Sequence, residues 1–393
     1  MVKKIRVALV GCGNCASALV QGIEGFKAGA FDFDTMNLMM DNIGGYTPEN
    51  VEFVAAFDVD QRKVGKPLNV ALHSLPNNTI DLYNISKLEK QFPIVQQGPR
   101  LDGVDTPVWG TDVNDSEMFV PVEQDVDANV EYFAQYLRDN QVDILMNYLP
   151  VGSQDATEFW MNVCLNANVN VVNCIPCFIA SDKVWAKKFA DNNVTIIGDD
   201  VRSTIGASII SAVLQECFLA RGADIDVHYQ DNVGGNMDFK QMQNPDRLAS
   251  KKISKENVIR KQNDLVGKET KPNTIAAGPA KYFPALKDNK RAHWLIKGTI
   301  FGRAPFEFTA DLSCIDSPNS AGVAIDAIRF LKVAQEIGIV GPIVGPSAAT
   351  KKTPPVDMFT KDARTECEIL ARREIPHDYV RREDGKFVST FIL

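Results

Sequence analysis

The chain has 393 residues, 45% hydrophobic and 23% charged, with a formal charge of −8, and a length that exceeds what one core usually serves predicts two domains. The longest apolar runs fall well short of the about 18 residues a membrane span needs, and dispersed Lys and Arg in an acidic chain exclude a general nucleic-acid binder. Eight cysteines spread over this length do not make a secreted disulfide scaffold, and several sit in apolar stretches, so a cytoplasmic location is expected.

The basic start leads directly into Ile5 to Val10, a β-rich run that reads as a first strand rather than a signal peptide. Gly11-Cys12-Gly13-Asn14-Cys15-Ala16 follows, and Ala16, Leu19, Val20 and Ile23 then recur at helical spacing, so a G-x-G-x-x-A motif stands between strand and helix. In that setting Gly11 permits a tight turn and Gly13 lets a pyrophosphate approach the backbone. Ala16 allows close helix packing, while the helix-terminal N–H groups face the anion. Val51 to Val59 is the second strand, and Asp58 at its end is expected to accept from ribose hydroxyls and disfavour a 2′-phosphate, which predicts NAD over NADP although Arg62 and Lys63 follow closely. The polar insertion from about 28 to 50 explains why Asp58 comes late in the motif. Residues 76–125 read as loop-rich surface.

Strand patterns at 143–149, 169–174 and 194–198 alternate with helical ones at 156–167 and 182–191, which predicts an α/β fold with a Rossmann-like, doubly wound parallel sheet. After a helix over 207–219 the period changes. Ile225, Val227 and Tyr229 alternate, as do Phe306, Phe308, Ala310 and Leu312, and Trp294 to Phe301 is β-rich, so an antiparallel region is expected with Gly302-Arg303 at a hairpin turn. Its large aromatics suggest a face packed on something else, another subunit being one candidate. A helical pattern returns from Ser320, and the tail from 351 reads as polar and charged.

Lys251 and Lys255 lie four apart behind Asn244-Pro245-Asp246, a good helix start, so they share one face; a solvated basic face is the plain meaning of such a pair. Lys290 and Lys352 are not joined to them by spacing. Asp199 and Asp200 follow a predicted strand, where α/β ligand crevices form, and they serve equally well as a helix cap. Ser203, Gly206, Ala207 and Ser208 open a helix whose N–H groups suit a phosphate. Two C-x-x-C pairs, Cys12/Cys15 and Cys174/Cys177, have zinc-thiolate spacing, but the first already flanks the glycine turn.

Seven segments in order, Val10–Ser17, Phe57–Asp60, Tyr148–Ser153, Gly198–Asp200, Val233–Asp238, Ser250–Lys255 and Asp316–Gly322, resemble the myo-inositol-1-phosphate synthase family in its compact bacterial and archaeal form, over nearly the whole chain. The resemblance implies a homotetramer whose Rossmann-like domain spans 1–201 and 312–393 around an inserted catalytic and oligomerisation domain at 202–311. It also implies an isomerase that oxidises C5 of D-glucose 6-phosphate with bound NAD, enolises, closes C6 onto C1 and reduces the ring with the same NADH. Its catalytic residues fall on Lys251, Lys255, Lys290, Lys352, Asp200, Asp238 and Asp316, and its cofactor contacts on Gly11, Gly13, Asn14, Cys15, Ala16, Asp58, Ser153 and Asp199. Lys255 and Lys290 are assigned to the reacting oxygens and proton transfer, Lys251 and Lys352 to phosphate or chain positioning. Arg202 stands where many relatives carry lysine. Some relatives use a divalent or monovalent cation, for which no ligand cluster is recognisable here. Two alternatives stand beside this reading: ring closure of another sugar phosphate such as fructose 6-phosphate, and an NAD-binding sensor or scaffold without turnover.

Overall fold

A computed structural model describes residues 3–104 and 118–393, with the side chains of 245–252 outside the described set. The strands are Ile5–Val10 (β1), Val51–Asp58 (β2), Val95–Gln97 (β3), Ile144–Asn147 (β4), Asn170–Asn173 (β5), Thr195–Ile197 (β6), Asp224–Gly234 (β7), Ile275–Tyr282 (β8), Asn289–Ile300 (β9), Ala304–Ile315 (β10), Ile339–Pro342 (β11), Tyr379–Arg381 (β12) and Phe387–Ser389 (β13). One sheet has the order β12-β13-β11-β6-β5-β4-β1-β2-β3 and the other β10-β9-β7-β8. In the first, every pairing is parallel except β12 with β13.

Burial on both faces explains the parallel sheet. Ile5, Val7 and Leu9 of β1 join a core with the helices Asn14–Lys27 and Asp316–Glu336, whereas Ala8 and Val10 point to the opposite core under Val130–Asp139 and Gln154–Ala167. Phe57, Phe133, Phe159 and Trp160 lock that second core, with ring centroids 4.7 to 5.8 Å apart. Strand order reverses between β4 and β1, and the crevice beyond their carboxyl ends is the topological switch point where α/β sheets bind ligands.

Several expectations are corrected. The loop-rich stretch 76–125, of which 105–117 lie outside the described residues, also carries β3, which forms the sheet's far edge. The polar tail carries the helix Thr360–Ala371 and the strands β12 and β13; strands of three residues are too short to show a period. The expected antiparallel pairing holds among β7, β9 and β10, and the second sheet is mixed because β8 joins it parallel to β7. A parallel pair needs a crossover, and the helix Pro245–Leu265 forms it. The aromatics of β10 are covered from within the chain: Phe218 of the helix Ala207–Ala220 meets Phe306 and Phe308 at 5.6 and 5.7 Å, leaving Glu307, Thr309 and Asp311 exposed on the other face. No described helix is long and apolar enough to cross a membrane.

A buried polar chain ties the second sheet to its two helices. His228 Nδ1 hydrogen-bonds Gln215 Oε1 (2.9 Å), Gln215 Nε2 donates to Asn263 Oδ1 (2.8 Å), and Asn263 Nδ2 donates to Thr270 Oγ1 (2.8 Å). Burial pushes the imidazole down from 6.5 to about 4. The unfolded chain therefore takes up a proton between those values that the folded protein refuses, so stability is full above the unfolded pKa and falls as pH drops through this window, by about 3 kcal/mol at most. Denaturant midpoints at neutral pH and near pH 4.5 should show this loss in the wild type and a flatter dependence in His228→Gln.

Candidate active site

The glycine turn is built as its sequence predicts. Gly11 adopts φ +90° and donates to Phe57 O at 2.9 Å, and a Cβ there would lie 2.4 Å from Tyr148 O. A Cβ on Gly13 would meet nothing within 4 Å, so that residue faces open space, and no side chain caps the helix Asn14–Lys27 that begins beside it. The first N–H groups of that helix are thus available to an anion. Gly11→Ala forces β1 and the 148–149 backbone apart, and dinucleotide affinity in a fluorescence titration is expected to fall by about 100-fold.

Asp58 secures this turn. Its Oδ2 accepts from Cys12 N at 2.8 Å, and its Oδ1 from the N–H groups of Val59 and Asp60 at 2.8 and 2.9 Å. The two cations that follow are already engaged: Lys63, 1% exposed, donates to Cys12 O (2.9 Å) and Asn77 Oδ1 (3.0 Å), and Arg62 is held by Asp60 and Met118 O.

From the turn a continuous cavity runs past Tyr148 and Cys174 to Ser203, Gly206, Ala207, Ser208, Asp238, Lys255, Lys290, Asp316 and Lys352. Residues more than 300 positions apart share it because the chain returns on itself. The 199–202 segment lies antiparallel to 350–353: Asp199 N donates to Thr353 O (2.8 Å), Lys352 N to Asp200 O (2.8 Å) and Arg202 N to Thr350 O (2.9 Å). That pairing sets Lys352 Nζ 2.9 Å from Asp200 Oδ1, with Ser254 Oγ donating to Oδ2 at 2.7 Å. The next residue on Ser254's helix is Lys255, 7% exposed, turned to the cavity.

Lys290, the second residue of β9, pairs with Asp316, the first residue of the helix that follows β10. Asn236 Nδ2 donates to Asp316 Oδ2 at 3.2 Å, and its Oδ1 caps the short helix Met237–Gln241 whose first turn carries Asp238. Gly235 makes this turn possible, since a Cβ would lie 2.5 Å from both Lys287 N and Phe283 O. Three ammonium groups and two carboxylates thus face one space, with Asp200 behind Lys352. Lys251 lies on the same helix as Lys255, but its side chain is outside the described residues.

Other expected residues stand behind the wall. Asp199 is fully buried and accepts from the N–H groups of Ile179, Ala180 and Ser181, from Ser181 Oγ and from Asn173 Nδ2, so it fixes the 173–181 loop; burial raises its carboxyl above the usual range. Ser153 is also fully buried and does not line the cavity. Asn14 and Cys15 do line it. Arg202 turns to the carbonyls of Ala348 and Ala349 rather than toward a phosphate, and burial pulls its pKa down to about 10. Burial holds the thiols up, Cys15 and Cys177 to about 12, and no group of three or more His, Cys, Asp or Glu arranged for a metal is found among the described residues. Asn236, Ser254 and Asp288 were not singled out by spacing. Only Asn236 had a signal, as the N-cap preceding Asp238.

The profile of the myo-inositol-1-phosphate synthase family matches residues 206–317, the stretch that holds Asp238, Lys255, Lys290 and Asp316. Inositol-3-phosphate synthase of Mycolicibacterium smegmatis is 42% identical over 370 residues, 93% of this chain and 98% of that one. The chain belongs to the myo-inositol-1-phosphate synthase family. It is therefore an enzyme, an isomerase by class. Inositol-3-phosphate synthase of Mycobacterium tuberculosis is likewise 42% identical over 367 residues, covering 93% and 95% of the two chains. The structure of inositol-3-phosphate synthase from Caenorhabditis elegans superposes with a TM-score of 0.72 over 96% of this chain and 87% of that one at 15% identity, which shows the shared fold.

Proposed function

We propose that the chain is an NAD-dependent cyclase converting D-glucose 6-phosphate to 1D-myo-inositol 3-phosphate. One observation carries this: the glycine turn and the lysine–aspartate cluster line the same cavity. NAD fits the turn, because Gly13 leaves the approach open and Asp58 with tethered Arg62 and Lys63 offers a 2′-phosphate no unengaged cation. When bound, NAD accepts the hydride from C5 and returns it after ring closure, so the reaction has no net redox change.

The protein's own groups do the rest. Lys255 and Lys290 place ammonium groups where enolate and alkoxide oxygens develop, and such preorganised charge in a water-poor site stabilises the transition state far more than it would in water. Asp316 orients Lys290, and Asp238 lies across the same space to move a proton. Lys352, held by Asp200, and the N–H groups at Gly206, Ala207 and Ser208 are assigned to the phosphate. Residues 1–201 and 312–393 are taken as the dinucleotide-binding domain and 202–311 as the catalytic and oligomerisation domain. The homotetramer contact is assigned to the open edge and polar face of β10, and the setting to the cytoplasm, where eight unpaired thiols stay reduced.

Purified enzyme with NAD and either glucose 6-phosphate or fructose 6-phosphate, followed by phosphorus NMR, tests the substrate. An inositol phosphate from glucose 6-phosphate is expected; a product from fructose 6-phosphate alone, or from neither, sinks the reading.

A further inference from the structure

A buried carboxylate outside the expected set joins the two halves of the cavity. Asp288, 2% exposed, stands two residues before Lys290. Its Oδ1 accepts from Ser317 Oγ (2.9 Å), Asn236 Nδ2 (3.0 Å) and Asn14 Nδ2 (3.4 Å), and its Oδ2 from Thr79 Oγ1 (2.6 Å) and Ser317 N (3.2 Å). Its carbonyl accepts from Asp316 N at 2.8 Å. These donors come from four separate stretches: the first residue of the dinucleotide helix, the loop at 78–79, the Asn236 turn and the start of the helix that carries Asp316. Asn14 Oδ1 also accepts from the N–H groups of Asn78 and Thr79 (2.9 and 3.2 Å), so the loop is tied to the helix that begins at the glycine turn. On the other side Asn236 bridges Asp288 to Asp316, which holds Lys290.

We propose that Asp288 is a positioning residue that transmits dinucleotide occupancy at the glycine turn to the Lys290–Asp316 pair, so that cofactor and sugar phosphate bind cooperatively. The proposal rests on the reading that NAD and a sugar phosphate share this cavity. A carboxylate is acceptor-only and turns no donor toward any of these five groups, whereas the amide of an asparagine of the same shape turns a donor toward some of them. Asp288→Asn therefore cuts the linkage without opening a void. Thr79→Val keeps the carboxylate and removes only its shortest bond.

The test is the dissociation constant of D-glucitol 6-phosphate, an open-chain polyol phosphate with no aldehyde to close upon, measured calorimetrically with and without saturating NADH. In the wild type NADH is expected to tighten the polyol phosphate by about tenfold, within the usual range for coupled sites. In Asp288→Asn the factor should fall to about one while binding without NADH changes little, and Thr79→Val should be intermediate. A purely structural role would weaken both affinities and leave their ratio alone. A wild-type factor retained in Asp288→Asn, or no factor in the wild type, overturns the coupling. If Asp288→Asn does not fold, an unchanged factor in Thr79→Val overturns it instead. Failure of the wild type to bind either ligand removes the underlying reading and the proposal with it.

Discussion

Lys290→Ala is expected to lower turnover by about 10³-fold or more while NADH affinity stays within about threefold. The substitution removes the ammonium assigned to the developing oxyanion and leaves Asp316 without its paired lysine in a largely buried site, 18% exposed. A carboxylate left there repels the enolate that Lys290 would stabilise, so two unfavourable changes coincide in the transition state. Lys290 stands on β9 of the second sheet whereas the glycine turn follows β1 of the first, so cofactor binding is expected to be spared. Lys290→Arg should not restore turnover, because a planar fork cannot take the position of a compact point charge against Asp316. A discontinuous assay of inositol phosphate and a fluorescence titration with NADH separate the two effects. Activity within tenfold of wild type in Lys290→Ala would remove the residue from the chemistry.

The second large effect falls on stability. Asp200 is fully buried and Lys352 is 11% exposed, and their 2.9 Å pair closes the wall where 199–202 meets 350–353. Lys352→Met leaves a buried carboxylate without this partner, and removal of one member of such a pair costs about 3–5 kcal/mol. A lower denaturant midpoint with an unchanged slope is the expected signature. Adding Asp200→Asn removes the negative charge that Lys352 balances, so the double variant should recover much of the loss although it stays inactive. A double variant as unstable as the sum of the two single ones would show that the pair is not coupled.

The glycine-turn half of the cavity was legible because its information is local. Gly11, Gly13 and Ala16 sit in one strand–turn–helix unit, and Asp58 ends the neighbouring strand, so spacing alone places them. The lysine–aspartate half is assembled by long-range contacts. Nothing near Lys352 announces the backbone pairing that carries it to Asp200, and nothing near Lys290 announces Asp316. Family resemblance joined those residues, whereas their periodicity could not. The same limit explains the direction of β8: alternation marks a strand but not its partner, and the crossover helix decides. Asp199 shows the opposite case, a residue beside the carboxylate that holds Lys352 whose own oxygens are turned to backbone and side-chain donors of the 173–181 loop. Phe306 and Phe308 alternate as an interface strand would, yet Phe218 of the same chain covers them.

In the proposed cycle one cofactor stays in place through oxidation, closure and reduction. Glucose 6-phosphate deuterated at C5, turned over with NAD in the presence of excess unlabelled NADH, tests it directly by mass spectrometry and proton NMR. The hydride removed from C5 must return to the same carbon, so the inositol phosphate is predicted to retain one deuterium on its ring and the free NADH pool to gain none. Deuterium in free NADH, or a ring that has lost it, would show that the cofactor does not stay bound through the cycle.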